Sequence, residues 1–203
     1  MFPVMLDLTG RLAVVVGGGA VGRRKVAALR AAGARVRVVC LEDRPPDEPG
    51  GEWLCARYRP DHLDGATIVF AAATPEVNRE VVRDARSRGV WAADAAEPTA
   101  GDFHTPAVLR RGGLVVAVST SGASPLLAAR IRDRLDAALE PEYADWVALL
   151  AELRPEVLAV EPGRRRAVFE RLCEDGWLGR LRGEGVDVVR AAMRAAIEEP
   201  RTK

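Results

Sequence analysis

Three glycines lie between a run of valines and a run of helix-forming residues in the segment VVVGGGAVGRRKV (14–26). Gly17, Gly19 and Gly22 have the spacing G-x-G-x-x-G, and they follow a predicted strand and open a predicted helix. Glycines at these places allow a tight turn, let the backbone approach a large anion, and let the helix pack closely on the strand. The unpaired N–H groups of the helix N-terminus would then hold a pyrophosphate. The segment therefore predicts a dinucleotide site.

A carboxylate at the end of the second predicted strand would select one dinucleotide over another. Glu42 lies about 20 residues beyond the last of these glycines, with Asp43 beside it. A carboxylate here hydrogen-bonds the 2′-hydroxyl of a ribose and repels a 2′-phosphate, which predicts NAD rather than NADP as the cofactor. Further contacts with the cofactor are predicted from neighbouring positions at the strand ends and the helix start: Ala20, Val21, Leu41 and Thr74. The alternative is a purely structural turn with a solvated Glu42.

A second group of polar residues precedes a long predicted helix in VAVSTSGASPLLAARIRDRL (116–135). The loop contains four hydroxyl side chains and a glycine, and Pro125 stands where the first helical residue is expected. Hydroxyl groups at a helix N-terminus bind carboxylates well. The loop is therefore predicted to bind an acidic substrate through Ser119, Thr120, Ser121, Gly122 and Ser124. The alternative is a well-capped helix without a ligand.

Strands and helices alternate through the first half of the chain. Apolar, β-branched runs predict strands at 11–17, 34–41, 52–59, 66–73 and 90–94, with a Pro/Gly-rich loop at 44–51 and helices at 20–33 and 74–89. This alternation is typical of a parallel sheet with helices on both faces. A further strand that runs into a small-residue loop is predicted at 113–122, and from Ser124 to about residue 197 the pattern is almost entirely helical.

Three segments, in this order, resemble the N-terminal region of siroheme synthases, the precorrin-2 dehydrogenase family. They are DLTGRLAVVVGGGAVGRRKVAALRAAGARVRVV, ATIVFAAATPEVNREVV and DFHTPAVLRRGGLVVAVSTSGASPLLAARIRDRL. The resemblance runs from about residue 3 to 140 and continues more weakly through the helical tail. Three separated motifs in the right order are more specific than a glycine-rich turn alone.

The resemblance implies a reaction in which NAD removes a hydride from precorrin-2, a tetrapyrrole, while a base or solvent takes a proton, giving sirohydrochlorin. In some members of the family, Fe²⁺ or Co²⁺ is then inserted into the ring. The substrate is a polycarboxylate, which suits the hydroxyl-rich loop and the arginines near it: Arg110, Arg111, Arg130 and Arg132. These arginines could equally form a solvated surface. The family also implies a homodimer with an intertwined central segment and a helical tail that helps to cover the substrate.

Pattern and resemblance together predict an α/β protein: a Rossmann-like parallel sheet followed by a dimerisation segment and a C-terminal helical domain. The predicted limits are 1–112 for the NAD-binding domain, 113–145 for the dimerisation and substrate-loop segment, and 146–203 for the helical tail. A shift in composition near 105–125 marks the end of the first domain.

The sequence departs from the family at one position. The family carries an aspartate after its fifth strand, in a stretch like NV-x-D-x-P, with an assigned acid–base or metal-handling role. Alignment on Pro98 and Phe103 puts Ala96 at that place. Asp94, two residues earlier and on the same face of an extended chain, is the predicted substitute, or else an acid at a strand end with no role. Because hydride transfer needs chiefly orientation, we expect dehydrogenation to persist and metal insertion to be weak or absent.

Asp102 and His104, in the stretch DFHTP, are the other candidate catalytic residues. Their position near the end of the predicted first domain suits contact with substrate or transfer of a proton, and the alternative is a polar strand end. His62 is expected to be a solvated surface residue. No spacing of histidine or cysteine is typical of a metal centre, so no dedicated metal site is predicted.

Composition limits the remaining classes. A net charge of +1 from 30 basic and 29 acidic residues predicts neither nucleic-acid nor membrane binding. Cys40, Cys55 and Cys173 are isolated and odd in number, which favours free, buried thiols in a reducing cytosol. The first residues lack the basic region of a signal peptide, and no apolar run is long enough to span a bilayer. These features predict a cytoplasmic protein.

Two other functions remain open. One is a bifunctional dehydrogenase and sirohydrochlorin ferrochelatase. The other is a regulatory, non-enzymatic NAD-binding module, which would share the glycine motif and the acidic strand end. Such a module needs no hydroxyl-rich loop, so the STSGASP stretch favours the enzyme.

Overall fold

The computed structural model describes residues 2–43, 45 and 51–199. The chain divides into two compact units, Met1–Thr105 and Pro106–Lys203. Most of the predicted Pro/Gly-rich loop at 44–51 lies outside the described residues, as do residues 1 and 200–203.

The first unit is a parallel sheet in the order β3-β2-β1-β4-β5 with helices between its strands. Its elements are β1 (Leu12–Val16), α1 (Ala20–Ala31), β2 (Arg35–Cys40), β3 (Glu52–Cys55), β4 (Ala66–Ala71), α2 (Pro75–Ser87) and β5 (Trp91–Asp94). Short 3₁₀ helices follow β3 and β5, at Pro60–Leu63 and Pro98–Ala100. This arrangement confirms the predicted Rossmann-like α/β fold.

The central strand explains why the sheet takes helices on both faces. Every residue of β1 is buried, so both of its faces need an apolar cover. Val15 lies on the face that packs against Val26 of α1, and Val14 lies on the face that packs against Val81 of α2. Because all five strands are parallel, their carboxyl ends lie at one edge of the sheet, where ligands bind in folds of this kind.

The second unit begins with an antiparallel hairpin and is otherwise helical. Its elements are β6 (Ala107–Arg111), β7 (Leu114–Val118), α3 (Pro125–Ala138), α4 (Tyr143–Ala159), α5 (Pro162–Leu172), α6 (Gly176–Glu184) and α7 (Val186–Glu198). Arg111 of β6 forms an ion pair with Asp136 of α3 at 2.7 Å, which ties the hairpin to that helix. The predicted helical tail is confirmed.

The four last helices share one apolar core. Leu149 and Leu153 of α4 and Met193 of α7 are fully buried at its centre. Two tryptophans place their polar edges on the backbone of α5: the Nε1 of Trp146 donates to the carbonyl of Leu172, and that of Trp177 to the carbonyl of Arg171. Their rings can therefore fill the core without an unpaired donor.

The division between the units falls seven residues before the predicted limit at 112 (112 − 105). The reason is β6, which pairs with β7 across the turn at Gly112 and Gly113 and so belongs to the second unit. The predicted segments 113–145 and 146–203 lie together within that unit. Among the described residues, no helix is both long and apolar enough to cross a bilayer.

Candidate functional site

The glycine-rich turn joins β1 to α1 at the carboxyl edge of the first unit's sheet. Gly17 has a φ of +114°, and a Cβ there would overlap the carbonyl oxygen of Ala72. A Cβ at Gly22 would overlap the carbonyl oxygen of Gly17. These two glycines are thus required by the turn and by the close packing of α1 on β1.

Gly19 differs, since a Cβ there would meet nothing within 4 Å. It precedes α1, and no side chain in the described part of the protein caps that helix. The first N–H groups of a helix have no partner within it, so those of Ala20, Val21 and Gly22 are available to a ligand. Open space in front of an uncapped helix start is the cradle that a pyrophosphate requires.

Glu42 lies beside this cradle, after the end of β2. Its Oε2 lies 3.2 Å from the position that a Cβ at Gly18 would take. Two donors hold the backbone carbonyl of Glu42: Nε1 of Trp53 at 3.0 Å and Sγ of Cys40 at 3.2 Å. The carboxylate is therefore placed next to the glycine turn, as recognition of a ribose requires.

The residues that hold Glu42 were missed by sequence reasoning. Cys40 is buried, which raises the pKa of its thiol and keeps it a neutral donor. Cys55 and Cys173 are exposed, so the expectation of buried thiols is wrong for these two. Trp53 belongs to β3, whose register places it opposite Val38. Both contacts depend on the pairing of strands that are distant in sequence. Leu41, the predicted apolar contact, is well exposed beside them.

Thr74, a predicted cofactor contact, lies in the turn that follows β4. It is exposed and precedes α2, whose first residue is Pro75. Hydrogen bonds from the backbone of Glu76 and from the side chain of Thr74 lower the pKa of the Glu76 carboxyl. The position suits a ligand at the edge of the sheet.

Asp94, the predicted substitute for the family aspartate, is buried, and its carboxylate accepts hydrogen bonds from backbone N–H groups. Its Oδ1 accepts from the N–H groups of Ala96 at 2.8 Å and Glu97 at 3.1 Å, and from Nδ2 of Asn78 at 2.9 Å. Asn78 is 0% exposed, and its Oδ1 accepts from the N–H of Ala73 at 2.9 Å. One buried amide thus connects the loops after β4 and β5, and sequence reasoning missed it.

Asp102 also binds backbone. Its Oδ2 accepts from the N–H of Ala92 at 3.0 Å, and its Oδ1 forms an ion pair with Arg86 at 3.0 Å. The segment that contains Gly101 and Asp102 therefore lies against β5. A Cβ at Gly101 would crowd the carbonyl oxygen of Ala92 at 2.8 Å. His104, the third candidate, is half-buried.

The expectation that His62 is a solvated surface residue is wrong. It is only 7% exposed, and its Nδ1 accepts from the N–H of Arg59 at 3.0 Å. Its ring also meets the edge of Tyr58. The histidine thus caps the start of a short 3₁₀ helix. The sequence pattern does not show where that helix begins, so this role could not be predicted.

In the second unit, the hydroxyl-rich loop joins β7 to α3. Ser124 caps α3 by accepting from the N–H of Leu127 at 3.1 Å. The Oγ1 of Thr120 donates to the carbonyl of Ser124 and accepts from its N–H, both at 3.0 Å. These two hydroxyl groups therefore shape the loop itself.

Ser121 and Gly122 form the exposed tip of the loop. The N–H of Ser121 donates to Oγ of Ser119 at 3.1 Å. Ser121 has a φ of +53°, a left-handed conformation that is strained for serine, and Gly122 has a φ of +87°. The tip therefore presents a hydroxyl group and backbone on a fixed, strained turn.

The nearby arginines fall into two classes. Arg111 and Arg132 form ion pairs, with Asp136 at 2.7 Å and Asp133 at 2.6 Å. Arg110 and Arg130 are exposed. Among the described residues, no three histidine, cysteine or acidic side chains are grouped so that they could hold a metal ion.

The fold, the open cradle at Gly19 and the carboxylate of Glu42 together define a dinucleotide-binding protein of the Rossmann type. Residues 4–107 match the family model described as "Putative NAD(P)-binding", and residues 111–138 match one described as "Sirohaem biosynthesis protein central". Since the first match covers slightly more than half of the chain, the protein belongs to that NAD(P)-binding family.

Curated relatives include siroheme synthases. The one from Methylobacillus flagellatus is 36% identical over 174 residues, which are 82% of this chain and 37% of that protein. The one from Chromobacterium violaceum is 35% identical over 206 residues, which are 98% of this chain and 43% of that protein. The chain thus spans less than half the length of these relatives.

Among solved structures, the fold is similar to that of SirC, a precorrin-2 dehydrogenase. The TM-score is 0.72, with 24% sequence identity, and the match covers 98% of this chain and 99% of that one. Both units of the present fold therefore have counterparts in a single known structure.

Proposed function

We propose that this protein is an NAD-dependent precorrin-2 dehydrogenase that forms sirohydrochlorin in siroheme biosynthesis. The observation that carries the proposal is that two features occur in one chain. A cradle for a dinucleotide in the first unit is followed, at 111–138, by a segment that matches the central region of siroheme biosynthesis proteins. The SirC likeness supports an enzyme with both parts.

The residues around the glycine turn fit NAD. Backbone N–H groups of Gly19, Ala20, Val21 and Gly22 would hold the pyrophosphate, and Glu42 would accept from the 2′-hydroxyl of the adenosine ribose. Leu41, Gly17 and Thr74 complete the predicted contacts. When bound, NAD supplies the acceptor for a hydride, and the protein has only to orient it.

The exposed tip of the hydroxyl-rich loop is the proposed contact with substrate carboxylates. The hydroxyl of Ser121 and the backbone at Gly122 stand on the surface of the loop. The side chains of Thr120 and Ser124 hold the loop in shape, and Ser119 supports its tip. Arg110 and Arg130 add exposed positive charge nearby in sequence, which favours an acidic ligand.

The proton released with the hydride is assigned to solvent. Asp94 and Asp102 accept hydrogen bonds from backbone N–H groups, and this use favours a structural role over proton transfer. A catalytic role for either acid, or for His104, stays a prediction. Hydride transfer does not require a strong base where the cofactor is well oriented.

Metal insertion is the second candidate activity, with Fe²⁺ or Co²⁺ as a substrate rather than a resident cofactor. The family position for the aspartate holds Ala96, whose side chain can neither accept a ring proton nor bind a cation. We therefore propose a dehydrogenase with weak or absent chelatase activity. The non-enzymatic NAD-binding module is disfavoured by the match at 111–138.

We also propose a homodimer formed through the segment predicted at 113–145. On α3, Leu126 is 64% exposed and Leu127 is 49% exposed, which leaves apolar surface for a partner. A cytoplasmic location stays a prediction. Size measurement by light scattering should give twice the chain mass, and a monomer at micromolar concentration would contradict the dimer.

The direct test is oxidation of precorrin-2 by the purified protein. With NAD present, we expect sirohydrochlorin and NADH to appear together, each followed by its absorbance. Without NAD, or with a Gly19→Asp variant, neither should appear. Tight NAD binding by the wild type without oxidation of precorrin-2 would reject the enzyme and favour the regulatory module.

A further inference from the structure

Lys25 stands out in the composition of this chain. Lys25 and Lys203 are its lysines, and apart from two histidines all its other basic side chains are arginines. Arginine and lysine are not equivalent, because the ammonium is a compact charge on a flexible stem and loses its proton more readily when it is buried. A lysine at position 25, between Arg23, Arg24 and Arg30 on the same helix, suggests a need for that compact charge.

The side chain of Lys25 crosses from α1 towards the carboxyl edge of the sheet. Its Nζ lies 5.3 Å from the centre of the Phe70 ring and 2.6 Å from Oγ1 of Thr105. Phe70 is the last residue but one of β4, and the ring of Phe103 packs edge-on against it at 5.3 Å. The ammonium thus lies over the ring of Phe70, near the carboxyl edge of the sheet where ligands are expected to bind.

This ammonium has no anionic partner in the part of the chain that the structure describes. Burial, and secondarily the charge of Arg24, lower the pKa of Lys25, and no carboxylate opposes these effects. Most arginines with similar burial form ion pairs, as Arg37 does with Glu52 at 2.7 Å. A half-buried cation without a counter-ion is a costly arrangement that an anionic ligand would relieve.

We propose that the Nζ of Lys25 and the hydroxyl of Thr105 together bind one carboxylate of the acidic substrate. Lys25 has two N–H groups left after its bond to Thr105, and the Thr105 hydroxyl accepts from Lys25 while keeping its own proton to donate. Two adjacent donors on an exposed threonine and a half-buried lysine can serve both oxygens of a carboxylate. The inference rests on the proposed function only for the identity of that substrate.

The test uses uroporphyrin, a stable polycarboxylate macrocycle, titrated into the full-length protein and followed by its fluorescence. Lys25→Met should weaken binding about tenfold, as expected for loss of a charged hydrogen bond. Arg24→Met is the matched control, because it removes the same charge from the same helix at an exposed position, and it should change binding less than about twofold. Lys25→Arg keeps the positive charge but not the compact ammonium, so it should recover only part of the affinity.

Binding of NADH, measured by its fluorescence, reports whether the variants keep the fold of α1 and should be unchanged. If Lys25→Met proves unstable, Thr105→Val removes the second donor without burying or exposing charge and should weaken binding about threefold or more. Equal effects of Lys25→Met and Arg24→Met would overturn the proposal. A wild type that binds uroporphyrin through Lys25 but leaves precorrin-2 unoxidised would reject the dehydrogenase and keep the carboxylate site.

Discussion

At the scale of single residues, the glycines of one motif are needed for different reasons. Gly17 and Gly22 are enclosed by backbone, so any side chain there collides with the protein itself. Gly19 faces open space and is needed only if something approaches from outside. A motif that looks uniform in sequence thus separates into residues for folding and a residue for binding.

This separation can be tested with Gly22→Ala and Gly19→Asp. Gly22→Ala should destabilise the protein by about 3 kcal/mol or more, because its Cβ would overlap a carbonyl oxygen of the backbone. Gly19→Asp should leave the melting temperature nearly unchanged and abolish NAD binding, because its carboxylate repels the pyrophosphate. Thermal unfolding and calorimetric titration measure the two effects. A Gly19→Asp variant that binds NAD with normal affinity would sink the assignment of the site.

Glu42→Ala should narrow the preference for NAD over NADP. The loss of a charged hydrogen bond to the ribose should weaken NAD binding about tenfold, while NADP binding should improve as repulsion disappears. Asp43→Asn, one residue along, is the control and should change the preference much less. Both constants come from titration of each cofactor. If the wild type already favours NADP, the role given to Glu42 is wrong.

The residues that could be predicted from sequence are those whose signal is local. The glycine spacing and Glu42 follow from a strand, a turn and a helix that are continuous in the chain. The support of Glu42 by Trp53, and the burial of His62, depend on strand register and on packing between distant segments. Periodicity carries no information about either contact.

At the scale of elements, the start of α3 combines a cap and an exposed tip. Ser124→Ala should cost about 1 kcal/mol of stability, because the N–H of Leu127 loses its acceptor. Ser121→Ala should leave stability nearly unchanged but raise the Michaelis constant for precorrin-2, because only the exposed hydroxyl is lost. Chemical denaturation and steady-state kinetics distinguish them. Unaltered kinetics in Ser121→Ala would count against substrate binding by the loop.

The buried link between α2 and β5 makes a different prediction. Asn78→Ala and Asp94→Ala should each destabilise the protein by about 1–3 kcal/mol, since each leaves buried N–H groups without an acceptor. Because the two side chains bond each other, the double variant should lose less than the sum. Urea unfolding measures all three, and Arg79→Ala, an exposed neighbour of Asn78, serves as control. Strict additivity would mean that the link carries no energy.

The hairpin of β6 and β7 has a local signal in the sequence. Two glycines, Gly112 and Gly113, separate two short strands, and this spacing is typical of a two-residue hairpin turn. The strand β6 ends in two arginines, which weakened its apolar pattern. Because this turn joins β6 to β7, the division between the units lies at Thr105 and not at the predicted limit of 112.

At the scale of the whole molecule, the alanine at position 96 should decide which steps of the pathway the protein performs. We expect the wild type to oxidise precorrin-2 and to insert Co²⁺ or Fe²⁺ into sirohydrochlorin no faster than the metal alone does. The spectrum of the macrocycle reports both steps in one cuvette. An Ala96→Asp variant restores the family residue and should raise the insertion rate if that position is sufficient. Rapid insertion by the wild type would show that Asp94 or another group performs the role of the family aspartate.

The near absence of lysine gives the molecule a built-in reporter. A protease that cuts after lysine has Lys25 as its one target apart from Lys203, and Lys25 lies within α1. Helical backbone must open before a protease can cut it, so the rate of cleavage measures how often this helix unfolds under native conditions. A ligand that needs the helix intact slows that opening in proportion to its occupancy. The fragment pattern would therefore read out binding at the glycine turn without any label.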